Sequence, residues 1–317
     1  MASGLPALPP APVMDTLGVR GAMGKTGFVL VLAAALPCAA QPADPWPAAV
    51  AHAARLAPQA RIVVLDAASG RLLASSRLSE AAHTLATPGS TLKPLALYAL
   101  VQSGRWDPVH RIACARNLRV AGHSLACSHP PADPMDAREA LTWSCNSYFA
   151  ALAATLAPGE LRPLLAPTGL LSSTGLTEGE ALAEFRAPRT PDDTRLALLG
   201  VTGVRITPLE LAAAYRWLAA QLAAHPDSRA AQVVKAGLTD SASFGIAGAA
   251  SLGGVPLAGK TGTAAPDSGG QTHGWFAALA PAEAPQVVLV VYLPAGHGAD
   301  AAQVAADLLA HSPLRQP

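Results

Sequence analysis

The sequence is poor in charge: Asp, Glu, Lys and Arg make up 14% of its 317 residues, and 22 basic against 21 acidic side chains leave a formal charge of +1. No excess of either sign is available to build a polyanion-binding surface, so nucleic acid is not a partner this composition points to. Long polar tracts are also missing. With 51% hydrophobic residues the chain stands far from the disordered regime and can bury a large core. Aromatic residues are scarce at 4%, and no internal repeat is visible; 29 Pro and 27 Gly imply many turns and disfavour coiled coils and solenoids. Beyond the first forty residues no stretch approaches the 18 or so consecutive apolar residues of a membrane span. The uncharged segment Ser241 to Gly259 comes nearest, and Gly245, Gly248, Gly253, Gly254 and Pro256 break it up.

What is present begins with an export pattern. Lys25 supplies a positive end, Phe28 to Leu36 an apolar stretch too short to span, and Cys38-Ala39-Ala40 small residues before a cut. Residues 1–40 therefore read as a leader with a signal peptide. The Pro-rich run Leu5 to Val13 fits no such pattern, which places the translation start at Met23, with the mature chain beginning at Gln41 in the periplasm or another extracytoplasmic space.

Four cysteines occur, and cleavage leaves Cys114, Cys127 and Cys145 in an oxidising compartment. Cys114 and Cys127 lie on two short alternating arms around Ala121-Gly122, a hairpin pattern. A cross-arm disulfide is the first reading, worth about 3 kcal/mol for a loop of this size. The rival is a zinc site from Cys114, His123, Cys127 and His129, whose spacing matches no common ligand pattern. Cys145 is then an unpaired, buried thiol.

The mature chain divides by pattern. Residues 41–58 form a short leading helix; Arg61 to Leu65 is a β-branched strand, Asp66 to Gly70 a turn, and Arg71 to Ser75 the return. From Pro88 to about Ala224 the apolar spacing is mostly helical, with segments at Leu95–Val101, Ala137–Leu156 and Leu209–Leu222. Strands return at Val255–Thr263, Thr272–Ala280 and Val287–Leu293, and a helix closes the chain at Ala299–Ala310. Strands at both ends with helices between them predict an α+β fold: an antiparallel sheet flanked by helices, with an all-helical half inserted between its first and last strands. The sheet half covers about 41–80 and 231–317, the helical half about 81–230. A cleft between the halves is the natural place for chemistry.

Three short motifs carry candidate chemistry. Ser90-Thr-Leu-Lys93 follows Pro88-Gly89 and precedes Pro94, which puts Ser90 at a helix start and Lys93 one turn later on the same face. A serine needs a base at neutral pH, and a lysine desolvated in a cleft has its pKa lowered enough to be one. Ser144-Cys-Asn146 interrupts an apolar helical pattern with two polar groups. Lys260-Thr-Gly-Thr263 ends a strand-like run, where Gly262 permits close approach of a backbone or ligand. Each alone has a bland explanation as a cap, a helix break or an edge strand.

In this order the three resemble the Ser-x-x-Lys, Ser-x-Asn and Lys-Thr-Gly set of the serine D,D-peptidase and β-lactamase superfamily. Their flanks, Pro88 to Pro94, Ser144 to Phe149, Ile206-Thr-Pro-Leu-Glu-Leu-Ala-Ala-Ala-Tyr215 and Gly259 to Ala264, are similar to the transpeptidase domain of penicillin-binding proteins, over roughly Ile62 to Leu309. The resemblance implies roles. Ser90 attacks the penultimate D-Ala carbonyl of a peptidoglycan stem peptide and Lys93 takes its proton. The N–H groups of Ser90 and Thr263 form the oxyanion hole. Ser144, assisted by Lys260, relays a proton to the leaving D-Ala. Asn146 holds the substrate amide, and Thr261, Gly262 and Thr263 form the strand that receives the terminal carboxylate. No metal or organic cofactor is implied, and β-lactams are the expected covalent inhibitors.

Departures narrow the reading. Neither a pedestal nor a glycosyltransferase region is visible, which suggests a small freestanding transpeptidase or D,D-carboxypeptidase. Glu180-Ala-Leu-Ala-Glu-Phe185 lacks the Glu-x-x-Leu-Asn pattern with which class A β-lactamases activate a deacylating water, so fast hydrolysis is disfavoured. A serine β-lactamase is the enzyme alternative, and a penicillin-sensing binding domain the non-enzyme one. His273 is expected to pack or cap near the cleft.

Overall fold

A computed structural model describes residues 45–130, 134–265 and 270–315. The leader, the start at Met23 and the cleavage before Gln41 lie outside the described residues.

The chain opens with α1 (Pro45–Leu56), then β1 (Arg61–Asp66) and β2 (Leu72–Ser76), an antiparallel pair whose turn is held by the Asp66 carboxylate accepting from the N–H and hydroxyl of Ser69. After α2 (Leu78–His83) the chain reaches a single 3-10 turn at Gly89–Leu92, which runs straight into α3 (Lys93–Gln102). Next come a ribbon, β3 (Asn117–Val120) and β4 (His123–Ala126), and helices α4 (Ala137–Thr142), α5 (Asn146–Ala153) and α6 (Leu161–Leu165). A two-residue strand β5 (Glu184–Phe185), α7 (Pro191–Leu198) and β6 (Val204–Arg205), which pairs with β5, lead to the long α8 (Pro208–Ala224) and α9 (Arg229–Ser243). Strands β7 (Ala258–Ala264), β8 (His273–Ala280) and β9 (Val287–Leu293) and helix α10 (Gly298–Leu309) complete the fold.

The sheet has the order β2-β1-β9-β8-β7, antiparallel throughout, so the first strand pairs with the last and the insertion leaves from one side. Both faces are covered, which is why β9 reads as the unbroken apolar run Val-Val-Leu-Val-Val-Tyr-Leu rather than an alternating one. Val288, Val290 and Tyr292 face the helical half together with Val63, Leu65 and Trp275. Val287, Leu289 and Val291 face α1 and α10 with Ile62, Val64 and Phe276. The α+β arrangement anticipated from the strand and helix order is the arrangement found.

The helical half is built around α3, which is buried on nearly every side; a helix apolar all round belongs in a core, and Leu95, Ala96, Leu97 and Leu100 are fully enclosed. α8 starts at a capping box in which the Thr207 hydroxyl accepts from the Glu210 N–H while the Glu210 carboxylate accepts from the Thr207 N–H. The helical stretch expected over Ala137–Leu156 is cut into α4 and α5 by Ser144, whose φ of 58° no helix accommodates. α9 has no counterpart in the sequence reading; it packs on α4, α3 and β7. The half taken as all helical also carries two small ribbons. One is the hairpin expected around Ala121-Gly122, a two-residue turn with both φ values positive, as the twist of such hairpins demands.

The hairpin register corrects the cysteine reading. Asn117 pairs with Ala126, and the Cys127 N–H donates to the Arg116 carbonyl, so Cys127 stands opposite Arg116 and Cys114 lies two residues beyond it. A Cys114–Cys127 disulfide is not formed, and Cys114, Cys127 and Cys145 are free thiols. The rival metal quartet is altered too: His123 sits exposed at the hairpin turn, whereas Cys145 comes to the other two sulfurs and His129.

Candidate active site

The turn carrying Ser90 is wedged between two backbones. Gly89, with φ 55°, donates its N–H to the Gly200 carbonyl at 3.0 Å, and a Cβ on Gly89 would stand 2.9 Å from the Thr263 carbonyl oxygen. A Cβ on Gly262 would stand 2.5 Å from the Pro88 carbonyl oxygen. Two glycines thus let the Ser90 turn lie against the edge strand β7 at backbone contact, the close approach expected of Gly262. From below, Ile206 exchanges N–H···O bonds with Ala86, and the Tyr215 hydroxyl donates to the Thr91 carbonyl at 3.1 Å. The segment Ile206 to Tyr215 is therefore the floor under the Ser90 turn.

The segment just before that turn is pinned to β8. The Thr87 carbonyl accepts from Trp275 Nε1 at 2.9 Å and from His273 Nε2 at 2.7 Å. Burial lowers the His273 pKa, so the ring is neutral and carries its proton on Nε2. His273 packs as anticipated; Trp275 was not singled out from sequence, and a fully buried indole bonded to the backbone before Ser90 is its only signature.

Lys93 points from the first turn of α3 into the helical half. Its Nζ donates to Asn146 Oδ1 at 2.7 Å, to the Ser144 carbonyl at 2.8 Å and to Ser144 Oγ at 3.2 Å, with the Phe149 ring 5.2 Å away. The amine is wholly buried, and desolvation brings its pKa from 10.5 down to about 8, with the nearby cysteine sulfurs opposing the shift. Its donors go to Ser144 and Asn146; a bond to the Ser90 hydroxyl is not among them.

Ser144 and Asn146 occupy the corner between α4 and α5. The left-handed backbone of Ser144 is costly for a residue with a Cβ, and such strain gathers where a side chain must be aimed. Asn146 turns its oxygen to Lys93 and its amide Nδ2 to the carbonyls of Ala126 (3.2 Å) and Leu125 (3.4 Å) on β4. Below the corner, hydrogen bonds from the Cys145 thiol, the Asn146 N–H and Cys114 pull the Cys127 thiol well under the usual range, while the same pairing and burial push Cys145 up.

On β7, side chains alternate. Lys260 and Gly262 face the Ser90 turn; Thr261 and Thr263 face the start of α10. Lys260 is fully buried, donates to the Thr261 carbonyl at 3.0 Å, and has its pKa held well below 10.5 by desolvation and then by the Lys93 charge. Two buried amines thus share one region. Thr263 Oγ1 accepts from the Gly298 N–H at 2.8 Å, which leaves its own hydroxyl proton to donate into the cleft.

The cleft that results has a volume of about 410 Å³ and is lined by Ser90, Ser144, Asn146, Thr261 and Thr263, together with Trp143 and His297. Every residue singled out from the three motifs lies on its wall or directly behind it. Among the described residues the lining holds no carboxylate. Glu180, the nearest approach in sequence to a deacylating base, is spent on the loop Ser173–Gly175, whose hydroxyls and N–H it accepts from at 2.6 to 2.7 Å. A half-buried serine backed by two desolvated amines, with amide and hydroxyl donors around it and no acid among the described residues, suits acyl transfer to and from that serine.

No curated protein matches the sequence significantly. Among solved structures the chain is similar to the transpeptidase domain of Burkholderia pseudomallei penicillin-binding protein 3 (19% identity over 86% of this chain and 95% of that one, TM-score 0.74). It is also similar to a peptidoglycan glycosyltransferase from Burkholderia ambifaria (18%, 86% and 96%, 0.72) and to Pseudomonas aeruginosa PBP2 in complex with WCK 5153 (21%, 84% and 75%, 0.69). At these identities the likeness is one of fold. The family model of the penicillin-binding protein transpeptidase domain matches residues 60–310, and with that span covering most of the sequence, the chain belongs to the penicillin-binding protein transpeptidase domain family.

Proposed function

We propose that the protein is a serine D,D-transpeptidase that acts outside the cytoplasm on peptidoglycan stem peptides ending in D-Ala-D-Ala. The observation that carries this reading is the buried Lys93 amine, bonded to Ser144 and Asn146 in the wall of a cleft that Ser90 enters and, among the described residues, no carboxylate does. In its neutral form Lys93 accepts the Ser90 proton as Oγ bonds to the penultimate D-Ala carbonyl carbon. The backbone N–H groups of Ser90 and Thr263 hold the developing oxyanion; losing one such donor costs about 3 to 4 kcal/mol. Collapse breaks the peptide bond, and the departing D-Ala nitrogen takes a proton through the Ser144 hydroxyl, which Lys93 already touches.

Asn146 binds the substrate amide, and the Thr261 and Thr263 hydroxyls bind the terminal carboxylate. That carboxylate brings the counter-charge that the buried Lys260 lacks, and so favours the protonated amine once substrate is bound. A free amine of a second stem peptide then attacks the acyl-serine, taking the place that water takes in a carboxypeptidase. β-Lactams enter by the same acylation, and with no carboxylate among the described lining residues to activate water the resulting ester is long-lived, which sets this reading ahead of a β-lactamase. Incubation with a stem pentapeptide, with and without an acceptor amine, followed by mass analysis, tests it: a cross-linked product lacking one D-Ala supports transpeptidation, and hydrolysis alone supports the carboxypeptidase.

A further inference from the structure

The sulfurs of Cys114, Cys127 and Cys145 and a ring nitrogen of His129 all lie within 4.8 Å of one another. We propose that these four side chains bind one zinc ion, which fastens the β3–β4 ribbon to the corner carrying Ser144 and Asn146. Tetrahedral zinc, with sulfur about 2.3 Å and nitrogen about 2.0 Å from the metal, holds its ligand atoms about 3.5 to 3.8 Å apart. The cluster lies within about 1 Å of that spacing, and Cys114 Sγ already stands 3.3 Å from His129 Nε2.

The groups around the cluster are arranged as the outer shell of a metal site. His129 Nδ1 lies 2.7 Å from the Pro130 carbonyl, which can only accept, and a longer 3.4 Å from the Arg116 guanidinium, which can only donate; the shorter contact puts the proton on Nδ1, and Nε2 then presents its lone pair to the sulfurs. Two of the sulfurs receive a backbone N–H: Cys114 from Arg116 at 3.4 Å and Cys127 from Asn146 at 3.3 Å. The Ser147 hydroxyl points at Cys114 as well, at 3.9 Å. Thiols are poor acceptors and thiolates good ones, so donors gathered on Cys114 and Cys127 favour the ligand form. Zinc replaces the three thiol protons and leaves a net charge of −1, beside which the Arg116 guanidinium stands, donating to the His129 carbonyl.

Three thiolates and one imidazole select zinc over the hard cations. Cys127, Cys145 and His129 are buried and Cys114 is half-exposed, which gives the ion one side of entry. A disulfide would join two of the sulfurs and leave the third thiol and the imidazole unused, whereas a metal employs all four. Because Cys145 lies between Ser144 and Asn146, its coordination would brace the strained corner from behind.

The test is metal analysis of the full chain, purified without chelator or reductant, with fluorescent penicillin labelling as the check of fold. The expected result is one equivalent of zinc, together with the intense visible absorption and sulfur-to-metal charge transfer of a tetrahedral thiolate site after exchange for Co2+. Cys114→Ser and His129→Ala should each weaken zinc binding by at least about tenfold, while Arg119→Ala, on the exposed side of the ribbon, should keep the ion. Should either variant fail to fold, the zinc content and cobalt spectrum of the wild-type chain decide alone. Metal content reads out independently of the reaction assigned above. A chain that labels with penicillin yet holds no zinc, or a non-reducing peptide map with a bond between any two of Cys114, Cys127 and Cys145, would overturn the proposal.

Discussion

Lys93 Nζ donates to Asn146 Oδ1 at 2.7 Å, across a gap of fifty-three positions in the chain. Through this bond the motif on α3 and the motif at the α4–α5 corner become one unit, since the Asn146 amide is oriented by Lys93 on one side and by the β4 carbonyls on the other.

Asn146→Ala removes the acceptor and leaves a buried amine with the Ser144 contacts alone. Hydrogen bonds to charged groups are worth about 1.5 to 3 kcal/mol, so penicillin acylation should fall by about 10- to 100-fold. Stopped-flow or gel-based measurement of the second-order labelling rate checks this; a rate equal to wild type would mean that the bond does not matter to the reaction.

The pH dependence follows from Lys93. Only the neutral amine can accept the Ser90 proton, and burial puts its pKa at about 8 instead of 10.5. Acylation should therefore rise through pH 7 to 9 with a midpoint near 8, and Lys93→Ala should abolish acylation with the circular dichroism of the fold retained. Stability shifts in the same direction: between pH 8 and 10.5 the unfolded chain holds the Lys93 proton that the folded chain has lost, so folding becomes more favourable as pH rises through that window.

Ser144 is held at φ 58°. Ser144→Gly relieves that strain and should raise stability by about 1 kcal/mol, read as a melting temperature higher by about 2 to 4 °C. The hydroxyl proposed to relay the proton is lost in the same substitution, so turnover of a stem peptide should fall while Tm rises. Ser144→Ala, which keeps the strain, should lose turnover with no gain in Tm.

Gly262→Ala places a methyl 2.5 Å from the Pro88 carbonyl oxygen, a distance no real contact sustains. The Ser90 turn must then move off β7, separating the N–H groups of Ser90 and Thr263. Acylation should drop by about 100-fold or more, the size of the loss of one oxyanion donor, with a smaller loss in Tm because the sheet itself is untouched.

The fold and most of the site were legible in the sequence where period and punctuation agree. The run Val287–Leu293 is an apolar strand in any context, Ala121-Gly122 is a hairpin turn, and Pro88-Gly89 marks the start of α3. α9 escaped because its buried face is made of Ala230, Ala231, Val234, Gly237 and Leu238, in which small residues dilute the helical period. The split between α4 and α5 depends on one left-handed serine, and composition does not report φ. The cysteine pairing failed for a related reason: spacing along the hairpin suggested Cys114 and Cys127 alone, whereas tertiary packing brings Cys145 from the Ser144–Asn146 corner and turns His123 out to solvent. Likewise the floor formed by Ile206 and Tyr215 follows from contacts more than a hundred residues apart in sequence.

The central claim is that Ser90 is an acylated nucleophile whose ester water attacks slowly. Intact-mass analysis after a brief exposure to penicillin, repeated over hours of chase, tests it most directly. The account predicts one adduct on the wild-type chain, mapped to the Ser90 peptide, absent from Ser90→Ala, and still present after free drug is removed. Rapid multiple-turnover hydrolysis of penicillin with no accumulating adduct, or an adduct that survives Ser90→Ala, would contradict it.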